Sequence, residues 1–271
     1  IKKNFKKIGV IGLGYVGLPL ALNFGKLSDI IVYGYDNDKK KINQLLEGKS
    51  YINHINSKSI KSYNKKNFFL GDLKKISEVD IIFLCLPTPL KDKNKPDLSY
   101  IKSSLNKIFP YLKKGQAISL ESSTYPGTTE DIIIKKLNKK FNIGEDFYVI
   151  YSPEREDPGN KLKMNQIPKV VSGYTENCKR IGHFFYRKVF KRVVIANNLK
   201  IAEFSKILEN VFRSINIGLV NEISIELIAL NAIKKMVLWL MKSLDKLSSD
   251  YLLSLVTEKN MSLNTASSYK A

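Results

Sequence analysis

The sequence predicts an α/β fold: a doubly wound parallel sheet with helices on both faces, followed by one long helix. Three observations predict it. Short apolar runs alternate with segments of helical periodicity. A glycine-rich turn joins the first run to the first helical segment. Residues 202–230 keep apolar positions at helical spacing, with no proline and a single glycine, Gly218.

Taken in order, Lys7–Ile11 is a short β-rich run and 15–26 has helical spacing. Residues 30–35 read as a second strand and 37–46 as the charged start of a helix. The polar stretch 50–66 is expected to be a loop or irregular insert. Residues 80–86 carry an uninterrupted apolar run, as a strand buried on both faces requires. Then follow a helix at 98–112, a strand at 116–120, a helix at 128–139 and a strand at 147–151. The last proline is Pro168 and the last glycine Gly218. Beyond them a second α/β domain is not expected, because the turn-forming residues are missing. The expected division is a sheet domain at 1–197, a long helix at 198–230, and an atypical helical or frayed tail at 231–271.

Composition narrows the function. The 271 residues allow one large domain, or one plus part of another. With 44% hydrophobic and 26% charged residues, wholesale disorder is excluded. No apolar run approaches the roughly 18–20 uncharged residues of a membrane span. The best candidate, 223–240, is interrupted by Glu226, Lys234 and Lys235. Nothing at the N-terminus reads as a signal peptide. Two cysteines, Cys85 and Cys178, exclude a disulfide scaffold and a cysteine-rich zinc site, so a reducing cytoplasm and no metal are expected. The net charge of +20 invites a nucleic-acid reading. However, only five of the 45 basic residues are Arg, and no recognition module accompanies the scattered lysines. A lysine-rich solvated surface is the expectation, with no nucleic-acid partner. His54 and His183 have no partner spacing and are read as non-catalytic.

Gly12-Leu13-Gly14-Tyr15-Val16-Gly17 fits G-x-G-x-x-G, placed after a strand and before a helix. Asp36 closes the next strand, 19 residues after Gly17. That context is the Rossmann-like dinucleotide fingerprint. Gly12 permits the tight turn, Gly14 lets backbone approach a pyrophosphate, and Gly17 lets helix and strand pack closely. Tyr15 and Val16 shape and pack the turn. The helix N-terminus offers N–H groups and a positive dipole end to phosphates. A carboxylate at Asp36 accepts from ribose hydroxyls and repels a 2′-phosphate, which favours NAD over NADP as cofactor.

Several further segments resemble the nucleotide-sugar 6-dehydrogenases, the UDP-glucose/UDP-N-acetyl-hexosamine dehydrogenase family. Besides the glycine turn they are Leu86-Pro87-Thr88-Pro89 with Pro96-Asp97-Leu98, and Glu121-Ser122-Ser123-Thr124-Tyr125-Pro126-Gly127-Thr128-Thr129. Then come Ser152-Pro153-Glu154-Arg155-Glu156-Asp157-Pro158-Gly159-Asn160, and Ala202-Glu203-Phe204-Ser205-Lys206 through Glu209-Asn210 to Asn221-Glu222. Order and spacing match over about residues 5–222. The segment 152–160 is most similar to the branch acting on UDP-N-acetylglucosamine.

The resemblance implies oxidation of a UDP-sugar C6 hydroxyl to a carboxylate in two hydride transfers to NAD, through a cysteine thiohemiacetal and thioester, for surface polysaccharide precursors. By position, Lys206 resembles the family's oxyanion-stabilising lysine and Asn210 its companion. Glu154 resembles the catalytic glutamate and Thr124 the threonine that holds the active-site water. Pro87, Thr88, Ser123 and Thr124 would border the nicotinamide side of the cleft.

The family's nucleophile lies in a G-G-H-C-x-P segment downstream of the long helix. After Glu222 the sequence has no Cys, Gly, Pro or His. Neither Cys85 nor Cys178 stands in the right context to replace it. The expectation is therefore a truncated or disrupted copy without the C-terminal UDP-sugar domain, inactive alone. A second possibility is a non-catalytic NAD-binding or interaction protein. Family members dimerise through the helix matching 200–230, which implies a homo-oligomer or pairing with a complete subunit. A third possibility, a one-step dehydrogenase without a thiol step, fits Glu154, Lys206 and Asn210 less well.

Overall fold

The computed structural model describes residues 5–53, 55–63, 68–91, 95–154 and 164–229, together with 240, 242–244 and 246. The chain divides into two compact units, Ile1–Glu203 and Phe204–Ala271.

The first unit alternates strands and helices: β1 (Lys7–Ile11), α1 (Gly17–Gly25), β2 (Ile31–Tyr35), α2 (Lys39–Leu46), α3 (Ser57–Tyr63), β3 (Phe68–Leu70) and β4 (Ile81–Leu84). A two-stranded ribbon, β5 (Leu90–Lys91) and β6 (Lys95–Pro96), precedes α4 (Ser99–Ile108) and β7 (Ala117–Leu120). Next come a π-helical segment Thr129–Ile134 running into α5 (Lys135–Leu137), then β8 (Tyr148–Tyr151), β9 (Lys169–Gly173), α6 (Glu176–Arg187) and β10 (Val193–Ile195). The long helix α7 (Leu199–Ala229) follows.

Eight strands form one sheet in the order β10-β9-β8-β7-β4-β1-β2-β3. Successive side chains of a strand point to opposite faces. On β4, Ile81 and Phe83 enter the core on one face, while Ile82 and Leu84 enter the core on the other. The first core is closed by Leu18, Leu20 and Phe24 of α1 and by Ile181 and Phe185 of α6. The second is closed by Ile101, Leu105 and Ile108 of α4 and by Ile133, Ile134 and Leu137. Both faces are therefore dry, which is why the central strands read as continuous apolar runs.

Local chemistry sets the helix starts. Asp38 caps α2 by accepting from Lys40 N at 2.9 Å, and Thr175 caps α6 by accepting from Cys178 N at 3.3 Å. Helix α1 begins at Gly17 rather than at residue 15, because residues 12–16 form the turn.

The structure departs from the sequence reading in two places. The stretch 50–66 is not merely a loop: it contains α3, whose Ile60 is fully buried. The sheet is not wholly parallel. Strand β9 runs antiparallel to β8, with Ile150 opposite Gly173 and Tyr151 opposite Ser172. Leu199, Ala202 and Glu203, at the start of α7, are buried in the first compact unit. The expected tail at 231–271 lies outside the described residues, apart from 240, 242–244 and 246.

Among the described residues, no helix is long and apolar enough to cross a membrane. None of their His, Cys, Asp and Glu groups gathers in threes to hold a metal ion.

Tyr35 ends β2 with a buried hydroxyl that has no hydrogen-bond partner among the described residues. Burial raises its phenol well above the ordinary value. Leaving such a group unsatisfied costs about 1–3 kcal/mol. Tyr35→Phe is therefore expected to hold or raise the melting temperature in a thermal scan. A clear loss of stability would show that the hydroxyl is paired.

Candidate functional site

In the sheet order, β1 pairs with β2 on one side and with β4 on the other, both in parallel. The winding reverses between β1 and β4, and open α/β sheets bind ligands outside the carboxyl ends of the strands at such a point. A cleft of about 510 Å³ opens there.

One wall is the turn after β1. Gly12 sits at a φ of 90°, and a Cβ on it would lie 2.3 Å from the backbone oxygen of Cys85. A Cβ on Gly17 would lie 1.8 Å from Gly12 O, so α1 packs directly on the turn. Gly14 differs: a Cβ there would meet nothing within 4 Å. Gly12, Gly14, Tyr15 and Val16 all line the cleft, and Gly17 stands behind them, buried. Tyr15, a cofactor-binding candidate, is 67% exposed on the cleft wall.

Asp36 lines the same cleft at the end of β2. Its carboxylate accepts from Leu13 N at 2.8 Å and from Asp38 N at 2.9 Å. A carboxylate has about four acceptor positions. Two are thus used to hold the turn and two remain for a ligand. Tyr51 OH also donates to Leu13 O and fastens the turn from below.

The opposite wall comes from the loops after β4 and β7. Ser122 Oγ donates to Leu86 O at 2.6 Å and accepts from Leu86 N at 3.1 Å. Thr88 Oγ1 donates to Ser123 O at 2.8 Å. These bonds bring Pro87, Thr88 and Ser123 together on the cleft wall. Thr124 is buried behind them, and its hydroxyl makes no hydrogen bond among the described residues. The loop is anchored at its far end by Glu203, which accepts from Gly127 N at 2.6 Å, Thr129 N at 2.8 Å and Thr129 Oγ1 at 2.7 Å.

Glu154 also reaches the cleft. It is held by a feature that periodicity did not reveal. Lys169 Nζ, fully buried, donates to Glu154 Oε2 at 2.9 Å, Glu121 Oε2 at 2.8 Å and Pro153 O at 3.2 Å. Tyr186 OH donates to the other oxygen of Glu121, and Ser119 Oγ lies 2.8 Å from Tyr186 OH. Burial raises the Glu121 carboxyl above its ordinary value against the pull of Lys169. Burial alone would lower the Lys169 ammonium, but the two carboxylates outweigh it and its value is raised. The sequence signal was a lone lysine opening the apolar run Val170-Val171, directly after Pro168.

Of the remaining candidates, Cys85 lines the cleft beside Leu86. Lys206 and Asn210 belong to the second unit, one turn apart on α7, where Lys206 Nζ is 3.9 Å from Glu209 Oε2. Cys85 and Cys178 are both buried free thiols, and burial pushes Cys85 well up. His183 lies on α6, outside the cleft wall. His54 and residues 155–160 of the glutamate motif lie outside the described residues.

Comparison with known proteins gives the family. Residues 6–191 match the NAD-binding domain of the UDP-glucose/GDP-mannose dehydrogenase family. The UDP-N-acetyl-D-glucosamine 6-dehydrogenase of Pseudomonas aeruginosa is 35% identical over 225 residues, covering 81% of this chain and 52% of that protein. The UDP-N-acetyl-D-mannosamine dehydrogenase of Pyrococcus horikoshii is 32% identical over 228 residues, covering 81% of this chain and 53% of that protein. The native structure of the UDP-N-acetyl-mannosamine dehydrogenase Cap5O from Staphylococcus aureus superimposes with a TM-score of 0.74 at 30% identity, over 89% of this chain and 58% of that one. The chain thus spans about half the length of the curated relatives it matches. It belongs to the UDP-glucose/GDP-mannose dehydrogenase family and carries that family's NAD-binding domain.

Proposed function

We propose that this chain forms the coenzyme-binding part of an NAD-dependent UDP-sugar 6-dehydrogenase acting on a UDP-N-acetylhexosamine, UDP-N-acetylglucosamine first, to make uronate precursors of surface polysaccharide. The observation that carries the reading is the open approach at Gly14, set in one cleft with Asp36 and Glu154. Hydride acceptance is the chemistry that bound NAD supplies. Gly14 leaves room for a pyrophosphate against backbone at the start of α1, where N–H groups and the helix dipole favour an anion. Asp36 takes the ribose hydroxyls with its two free acceptor positions. Thr88 and Ser123 border the nicotinamide end, and Thr124 is suited to hold a water. Glu154 acts as the base or water-orienting carboxylate. Lys206 and Asn210 stabilise the developing oxyanion. The NAD-binding domain spans 1–197 and the pairing helix 198–230.

This chain on its own should bind NAD without completing turnover. Neither cysteine is an accessible thiolate, as a nucleophile must be. A second reading, a non-catalytic NAD-binding subunit pairing through α7, is favoured by apolar side chains left in solvent there: Ile215 is 62% exposed and Ile225 66%. Both readings expect a homo-oligomer or a complete partner subunit.

Isothermal titration tests the cofactor site. Gly14→Ala should keep the melting temperature and weaken NAD binding by about tenfold or more, roughly 1.4 kcal/mol. Gly17→Ala, with no space for its Cβ, should lose about 1–3 kcal/mol of stability or fail to fold. NAD binding unchanged in Gly14→Ala would overturn the placement of the pyrophosphate. In a turnover assay with UDP-sugars, NADH should stay at background. Two NADH per sugar from this chain would refute the missing-nucleophile reading. Light scattering after size exclusion should show a dimer or larger species, and a monodisperse monomer would count against α7 as a pairing surface.

A further inference from the structure

We propose that Lys169 is a positioning residue for Glu154: its buried ammonium fixes the Glu154 carboxylate at the cleft and keeps it ionised, using Glu121 as the opposing anchor. The proposal rests on the reading of Glu154 as the acid–base group.

The geometry comes from topology. Strand β9 returns antiparallel beside β8. Continuing the register of that pair by three residues sets Lys169 opposite Glu154, and the two are joined at 2.9 Å. The same return places Lys169 beside Glu121, which follows β7. A lysine at the start of β9 therefore arrives at the carboxyl ends of β7 and β8, where the cleft lies.

Burial makes the arrangement consequential. Lys169 and Glu121 are about 1% exposed and Glu154 is 8% exposed. An ammonium taken out of water this completely needs partners, and removing one side of such a pair leaves an uncompensated charge. Lys169 has both carboxylates and Pro153 O, with the rings of Tyr186 and Phe190 within 5.6 Å and 5.4 Å. Among the described residues, the titratable groups that act on the cluster include Glu121 after β7, Tyr186 of α6 and Cys85 after β4, with Tyr151 of β8 acting through the field of Glu121. Burial raises all four toward their uncharged forms. The Lys169 ammonium, 2.9 Å from Glu154 Oε2, favours the ionised carboxylate, and a fixed partner also limits where that carboxylate can point. A general base within a cleft needs both properties: the ionised form and a set direction.

Carboxyl ¹³C NMR of the chain labelled at glutamate tests this without any turnover. The Glu154 signal is identified by its loss in Glu154→Gln. In Lys169→Met the Glu154 midpoint should rise, its proton affinity increasing about tenfold or more. Lys169→Gln keeps a hydrogen-bond donor in place should the apolar variant fail to fold, and it should shift the midpoint in the same direction. Lys169→Arg restores a cation and should return the midpoint toward that of the unsubstituted chain. In the unsubstituted chain, the ¹⁵Nζ resonance of Lys169 should move at the same midpoint as the Glu154 carboxyl carbon. An unmoved Glu154 midpoint in a folded neutral variant, or no common midpoint in the unsubstituted chain, overturns the proposal. Loss of NAD binding or absence of a role for Glu154 would instead sink the functional reading, without altering this titration.

Discussion

A helix packed so closely on the turn before it that residue 17 has no room for a Cβ is the constraint from which the cleft follows. Gly17 lies against Gly12 O, and Gly12 lies against the backbone of Cys85. These contacts draw β1, the start of α1 and the end of β4 together at the point where the winding of the sheet reverses. Gly14, between them, is left facing open space. Tight contact at two glycines and vacancy at the third are one design. The first two set the backbone in place, and the third keeps it approachable.

The two ends of the cleft are held by different physics. At the Asp36 end, one exposed-side carboxylate serves the protein and still retains acceptor capacity. At the Glu154 end, carboxylates and an ammonium are removed from water together. Exposed ion pairs contribute little, whereas buried ones are costly unless fully partnered. The ion pair of Lys169 therefore speaks less for stability than for a constraint on geometry and charge beside the site.

Much of this was legible in the sequence. The strands β1, β2, β4, β7 and β8 announced themselves as apolar runs, because both faces of the sheet are covered. The glycine turn and Asp36 were readable because a fixed spacing expresses a fixed geometry. What escaped depended on contacts distant in sequence. Ile60 of α3 finds its burial only in the folded core, so a polar stretch concealed a helix. Lys169 is a lone charge before an apolar strand, and its partners lie 15 and 48 residues away. Only the antiparallel return of β9 joins them. Lys206 and Asn210 were named through the family resemblance, and both fall on α7.

The most direct measurement is a crystal structure of the chain soaked with NAD. The account predicts density for the pyrophosphate over Gly14 at the start of α1, with the adenosine ribose hydroxyls on Asp36 and the nicotinamide ring toward Thr88 and Ser123. Coenzyme bound in another orientation, or elsewhere on the chain with this cleft filled by solvent, would contradict it.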